Sequence, residues 1–171
     1  VVAVLLAADP APAPERLTVR VLGLFVPERV DDLKAAVAEL PGVTLTAVDY
    51  EAGEMTVTVV PKEAFPGAKP EQYVARLDER LRNASHHTFS ATPRGTVPRD
   101  KLEAVVIPVA GLDCRACELA AYEAVAKLDG VEQATASFRD GKVTALIDPA
   151  KTDRGKLVEA LRKKQVKVTD P

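Results

Sequence analysis

The sequence predicts an α+β protein made of two tandem ferredoxin-like domains, each with the element order βαββαβ. Three observations predict this fold: an internal repeat, apolar residues at helical spacing in both copies, and short strand patterns joined by a turn signal. We expect the first domain at residues 16–98 and the second at residues 99–171. Each copy is small, but it is within the range of domains that fold on their own.

The sequence of the second copy predicts six elements in the order strand, helix, strand, strand, helix, strand. Apolar residues at helical spacing, Ala121, Val125 and Leu128, predict the first helix, and Gly130 suits its left-handed C-cap. The pair Asp140-Gly141 is a strong hairpin signal between the two middle strands. The predicted elements lie at 104–109, after Cys117, at 131–138, 142–147, 156–164 and 166–168. This order is the split βαβ arrangement of ferredoxin-like folds.

The first copy repeats this pattern at a constant offset. The offset that superposes Gly23 on Gly111 also superposes Val37 on Val125 and Pro61 on Pro149. After Pro61 the first copy has extra residues, which we expect to form a loop around 65–68. A helix with this apolar pattern must bury one face against a sheet, so both copies are predicted to be domains of one fold.

Both cysteines of the chain lie in one short run before the first helix of the second domain, in the order Gly111-Leu112-Asp113-Cys114-Arg115-Ala116-Cys117. Two thiolates at this spacing can converge on one soft metal ion, because sulfur is polarizable and a helix N-terminus stabilises negative charge. A structural disulfide and a redox dithiol fit the same pattern. Asp113 suits either a carboxylate ligand for a metal such as Zn(II) or the N-cap of the helix.

Residues 101–169 resemble the heavy-metal-associated domain family. Its members include metal chaperones, the periplasmic mercuric-ion binding protein and the N-terminal modules of metal-pumping ATPases. Leu112 stands where the family usually has methionine, a change that keeps the side-chain volume. The residues at the family's positions are Gly111, Cys114, Cys117, Gly130 and Val131.

The resemblance implies a protein that binds and hands over metal and is not an enzyme. Cys114 and Cys117 would hold one soft ion, Cu(I), Zn(II), Cd(II) or Hg(II), and pass it by ligand exchange to a metal transporter or another metal carrier. Asp113 resembles the variant found in zinc, cadmium and lead exporters of the family. Two alternatives remain: a thiol-disulfide oxidoreductase, whose usual tryptophan and Gly-Pro are missing here, and an interaction module that needs no metal.

The first domain lacks the cysteines of the second. Val26 and Arg29 take the positions of Cys114 and Cys117, so we expect no metal site in the first domain. Its loop is apolar through residues 25–27. Such a loop suits packing against a neighbour or capping the core of its own domain, and we favour the second interpretation.

The two histidines of the chain, His86 and His87, follow the second helix of the first domain. Neutral imidazole binds copper and zinc, but no cysteine or carboxylate stands beside the pair, so we favour a surface loop. A site that combines them with Cys114 and Cys117 is the alternative.

Composition and the first residues limit the partners and the location. The net charge of −2, the aromatic content of 4% and the absence of tryptophan argue against a nucleic-acid partner. Residues 1–8 are apolar but too short to cross a bilayer, and a proline-rich linker follows them up to residue 15. We interpret residues 1–15 as a signal-peptide remnant and linker, which predicts a periplasmic or exported protein without a membrane span in its mature chain. A first β-strand is the alternative.

Overall fold

The structure is a computed structural model, and it describes residues 13–111 and 114–169. The segment interpreted as a signal-peptide remnant, residues 1–8, lies outside the described residues. So does Asp113. None of the described helices is long and apolar enough to cross a membrane.

The first domain contains four strands and three helices. The short α2 is one turn, and a single turn of 3-10 helix precedes α3. The elements are β1 (Glu15–Leu22), α1 (Arg29–Ala38), β2 (Val43–Asp49), β3 (Glu54–Val59), α2 (Pro61–Ala64), α3 (Tyr73–Ala84) and β4 (Ser90–Thr92).

The second domain contains all six elements predicted for it. A single 3-10 turn leads into its first strand. The elements are β5 (Glu103–Ala110), α4 (Arg115–Ala126), β6 (Val131–Ser137), β7 (Lys142–Ile147), α5 (Arg154–Lys163) and β8 (Lys167–Val168).

Each domain has one four-stranded antiparallel sheet, with strand orders β2-β3-β1-β4 and β6-β7-β5-β8. Within each domain the two long helices contact one another, α1 with α3 and α4 with α5. This strand order with two helices is the ferredoxin-like arrangement, so the predicted fold class of two tandem ferredoxin-like domains is confirmed. Strands β2 and β6 each lie at an edge of their sheet.

The repeat extends to single hydrogen bonds. The N–H of Val60 donates to the carbonyl of Gly42 over 2.8 Å, and at the same offset Asp148 donates to Gly130 over 2.7 Å. Both glycines have a left-handed backbone, with φ of 72° and 84°. A residue with a Cβ would be strained there, so glycine makes the same turn before the second strand in both copies. The helix C-cap predicted at Gly130 is wrong, because α4 ends before it, with Lys127 as its C-cap.

The two cores are also equivalent, since matching positions of both copies are buried. Leu77 and Leu161, on the second long helix of each domain, are both fully buried. The extra segment around residues 65–68 is a loop, as predicted, but it does not lie only on the surface. It follows α2 directly, and Phe65 is buried with its ring 5.1 Å from that of Tyr73. The insertion therefore adds an aromatic pair to the core of the first domain.

Candidate metal-binding site

The two cysteines lie at the N-terminus of α4, where the sequence predicts them. Cys114 is the N-cap residue with an extended backbone, and its Sγ accepts a hydrogen bond from the N–H of Cys117 over 3.2 Å. The sulfur thus satisfies one of the N–H groups that the first turn of a helix leaves unpaired. Asp113, for which the sequence suggests either an N-cap or a metal-ligand role, lies outside the described residues. The positive end of the helix dipole faces the sulfur and favours its thiolate form.

The sulfurs of Cys114 and Cys117 are joined in a disulfide, with their Cα atoms 5.1 Å apart. Cys114 is exposed, while Cys117 is half-buried and packs against the core of the second domain. The structure therefore shows the oxidised form of the pair. Its reduction gives two thiols at one surface position, close enough to bind one ion together.

Glu118 connects the helix that bears the cysteines to the neighbouring hairpin. Its Oε1 accepts a hydrogen bond from the N–H of Phe138 over 2.6 Å, which ties the first turn of α4 to the turn between β6 and β7. Among residues 13–111 and 114–169, no cluster of three or more His, Cys, Asp or Glu side chains is formed. Two thiolates suit a soft metal ion.

The histidine pair does not join this site. His86 and His87 lie in the turn after α3, and both are exposed with a left-handed backbone. Since the described residues hold no cluster of three ligating side chains, the site that would combine the histidines with Cys114 and Cys117 is not formed.

The corresponding loop of the first domain is packed against the second domain. Phe25 is buried in the core cluster of the second domain, with its ring 5.5 Å from that of Tyr122 on α4. Val26 packs against the same cluster. The favoured interpretation, that this loop caps its own core, is therefore wrong. The loop instead packs against a neighbour, which was the alternative interpretation. That neighbour is the cysteine-bearing domain of the same chain.

Hydrogen bonds fix the loop in a groove between α4 and the edge strand β6. The N–H of Gly23 donates to the hydroxyl of Tyr122 over 2.7 Å, and the carbonyl of Phe25 accepts from the N–H of Ala136 over 3.2 Å. The amide of Gln133 donates to the carbonyls of Leu24, over 3.4 Å, and Tyr50, over 3.0 Å. An edge strand has free N–H groups, and here one of them is satisfied by the other domain.

Tyr122 and Gln133 are the residues that sequence reasoning missed. Both are buried, although Gln133 is a polar residue in an edge strand. The repeat contains the signal, because it pairs Tyr122 with Lys34 and Gln133 with Leu45. Positions where two copies of one fold differ this much in chemistry are candidates for contacts that only one copy makes.

Comparisons with known proteins match the part of the chain that contains the cysteines to a family model. Residues 106–166 match the family model of the heavy-metal-associated domain. The CopZ metallochaperone is 24% identical with a TM-score of 0.38, over 39% of this chain and 100% of that one. Oxidized MerP from Ralstonia metallidurans CH34 is 27% identical with a TM-score of 0.38, over 40% and 99%. The N-terminal soluble domains of Bacillus subtilis CopA are 19% identical with a TM-score of 0.37, over 91% and 92%. No curated protein sequence matches the chain.

The range that the family model matches contains both cysteines, the helix that they begin and the hairpin beyond it. Proteins of this family bind heavy metals and act as chaperones or as modules of transporting ATPases. Residues 106–166 of this chain are therefore similar to the heavy-metal-associated domain, as the resemblance of the cysteine loop implies.

Proposed function

We propose that the chain binds one soft metal ion through Cys114 and Cys117 and hands it to a protein partner by ligand exchange. The observation that carries the proposal is the position of the pair. Both sulfurs lie at the N-terminus of α4, on the surface of a heavy-metal-associated domain. We further propose Cu(I) as the preferred cargo, because two sulfur ligands suit a soft ion of low coordination number.

Binding requires the reduced pair. Two electrons and two protons convert the disulfide into two thiols, and each thiol loses its proton when its sulfur binds the ion. Handover then exchanges ligands one at a time: a partner thiolate attacks the ion, one cysteine sulfur leaves and takes up a proton, and a second exchange frees the ion. The exposure of Cys114 lets the first attack occur without unfolding of the domain.

A titration tests this function. The reduced chain is titrated with Cu(I), and separately with Zn(II), against a competing chelator, beside the double variant Cys114→Ser, Cys117→Ser. We expect one tight Cu(I) equivalent for the natural chain and none for the variant. The variant should keep its fold, because Cys114 is exposed and the half-buried Cys117 is replaced by a side chain of similar size. Equal binding by both proteins, or no binding by either, would contradict the proposal.

A second function is favoured by one observation, the disulfide between Cys114 and Cys117. A thiol-disulfide oxidoreductase would cycle between this form and the dithiol, with one sulfur attacking the disulfide of a substrate. The reduction of insulin by the chain, in the presence of a dithiol reductant, distinguishes the two functions. A metal carrier should show no turnover above that of the cysteine double variant.

A further inference from the structure

The side chain of Glu118 ties the first turn of α4 to turn 138–141, which joins β6 and β7. Its Oε1 accepts a hydrogen bond from the N–H of Phe138 over 2.6 Å. The backbone N–H of the same residue donates to the carbonyl of Cys114 over 3.0 Å, as a regular bond of the helix. A hydrogen bond to a charged acceptor is stronger than one between neutral groups. Glu118 therefore connects the backbone of Cys114 firmly to the hairpin.

Turn 138–141 is itself fixed to the strand that precedes the cysteines. The carbonyl of Gly141 accepts a hydrogen bond from the N–H of Val109, near the end of β5, over 2.8 Å. A Cβ added to Gly141 would stand 3.3 Å from the carbonyl oxygen of Val109, so the turn and the strand are in close contact. Val109 precedes the two cysteines in the sequence, and Glu118 follows them. The turn thus holds the chain on both sides of the cysteine pair.

The first domain repeats the bond to the strand but has a different residue on the helix. The N–H of Val21 donates to the carbonyl of Gly53 over 2.7 Å, at the positions equivalent to the strand and turn residues just described. The counterpart of Glu118 is Val30, whose side chain has no hydrogen-bonding group and packs against the core of the first domain. The copy that has the cysteines therefore also has the carboxylate, and the copy without cysteines has an apolar residue at that position.

The two cysteines differ in how firmly the fold holds them. Cys117 is half-buried and packs against the core of the second domain, whereas Cys114 is exposed at the very end of α4. The terminal turns of helices open more easily than the rest of a domain. The distance between the two sulfurs of the reduced pair therefore depends on how well the first turn of α4 stays folded. The bond from Phe138 to Glu118 acts on this turn.

We propose that Glu118 is a positioning residue for the cysteine pair. By accepting the N–H of Phe138, its side chain keeps the first turn of α4 folded, so that Cys114 stays within reach of an ion that Cys117 holds. Residues that orient metal ligands without touching the metal commonly change metal affinity by about 10- to 100-fold. The hydrogen bond has this role, and the negative charge does not. This inference rests on the proposed function and identifies a residue that controls the same site.

The test measures Cu(I) affinity of the reduced chain against a competing chelator for three substitutions of Glu118. Glu118→Val introduces the residue that the first domain has at this position, and Glu118→Ala removes the same bond with a better helix former. Glu118→Gln keeps an oxygen that accepts a hydrogen bond but removes the charge. The control is Ser137→Ala, because the Oγ of Ser137 accepts from the N–H of Asp140 over 3.1 Å within the same hairpin. This control weakens the turn but leaves its bond to α4.

Glu118→Val and Glu118→Ala should bind Cu(I) about tenfold more weakly than the natural chain, because the first turn of α4 is no longer held. Glu118→Gln and Ser137→Ala should bind with the natural affinity. Circular dichroism at the assay temperature checks that each variant is folded, and Glu118→Ala decides if Glu118→Val is not. The proposal is overturned by natural affinity in Glu118→Ala. It is also overturned by an equal loss in Glu118→Gln, which would assign the effect to charge, or in Ser137→Ala, which would assign it to the turn.

If the chain binds no metal, the proposed function fails, and the equilibrium of the cysteine pair with glutathione decides this inference instead. Two glutathione molecules reduce the disulfide between Cys114 and Cys117 and become one molecule of glutathione disulfide. A pair that is held less closely forms its disulfide less readily, so Glu118→Ala should shift this equilibrium about tenfold toward the dithiol. Glu118→Gln should leave it unchanged. An unchanged equilibrium in Glu118→Ala would overturn the positioning role.

Discussion

The first loops of the two domains occupy the same position of the same fold but have opposite surroundings. Loop 23–29 is packed against the other domain, with Phe25 buried in a core that is not its own. The loop of the second domain leaves Cys114 exposed. The difference lies in the side chains at the two equivalent positions, since Val26 and Arg29 replace the cysteines. The loop at this position of the fold thus carries an exposed cysteine in one domain and an interdomain contact in the other, depending on a few residues.

The grooves of the two domains differ in a complementary way. In the second domain the hydroxyl of Tyr122 and the amide of Gln133 bond to backbone groups of the inserted loop. Their counterparts in the first domain, Lys34 and Leu45, offer a charge and an apolar side chain instead. Buried backbone groups need hydrogen-bond partners. This difference between the side chains of the two grooves therefore explains why the first domain is docked on the second. It also explains why the equivalent groove of the first domain, between α1 and β2, is open.

The largest effect is expected from two phenylalanines that are each buried against a tyrosine. Phe25→Ala and Phe65→Ala remove rings with similar partners, at 5.5 and 5.1 Å, and each should cost about 3–5 kcal/mol. For Phe65→Ala the cost should appear as a lower melting temperature of the first domain. For Phe25→Ala it should appear as separation of the domains, measured as a larger radius of gyration by X-ray scattering. A scattering profile of Phe25→Ala identical to that of the natural chain would contradict the described docking.

A somewhat smaller effect is expected at equivalent core positions of the two domains. Leu77→Ala and Leu161→Ala truncate fully buried side chains on α3 and α5, and each should lower the free energy of unfolding by about 2–5 kcal/mol. Because the positions are equivalent, the two losses should agree within about 1 kcal/mol if the cores relax alike. Chemical denaturation measures both. Very different losses would show that the inserted pair of Phe65 and Tyr73 makes the two cores unequal.

The smallest effect on stability is expected from alkaline pH, which acts on Tyr50 in the turn that contacts the second domain. Burial, with nearby Glu51 and Glu28, raises the pKa of Tyr50 to about 12, from an ordinary value of 10.0. The neutral hydroxyl donates to the carbonyl of Phe25 over 3.4 Å. This contribution is complete below pH 10 and is lost as the pH rises from 10 to about 12, since the unfolded chain ionises first. Solvent screens the half-buried group, so the change is modest.

The variant Tyr50→Phe provides the control for this pH dependence. It lacks the ionisable hydroxyl, so its stability should fall less than that of the natural chain over the same pH range. Denaturation at several pH values, together with the ultraviolet absorbance of tyrosinate, measures the difference. Parallel pH curves for the two proteins would exclude Tyr50 as the cause.

Much of the fold could be predicted from the sequence because its signals are local. Helical spacing of Ala121, Val125 and Leu128 predicts α4, and Asp140-Gly141 predicts the hairpin between β6 and β7. The spacing of the cysteines places both at the start of α4, but it fits a metal site, a disulfide and a redox dithiol equally. The N-cap could not be assigned in this way, because Asp113 and Cys114 both have side chains that accept a hydrogen bond. The structure shows Cys114 as the N-cap residue, with its sulfur accepting the N–H of Cys117.

The sequence by itself determined that the chain contains two copies of one fold and that only the second copy has a pair of cysteines. It determined this because apolar spacing, glycine turns and cysteine spacing are properties of short segments. The tertiary structure alone decided where Phe25 is buried. An apolar residue must leave water, but the hydrophobic effect has no direction and does not specify which core receives it. Loop 23–29 makes hydrogen bonds with Tyr122, which accepts, and with Gln133 and Ala136, which donate. These bonds, to residues far from Phe25 in the sequence, decide that it is the core of the second domain.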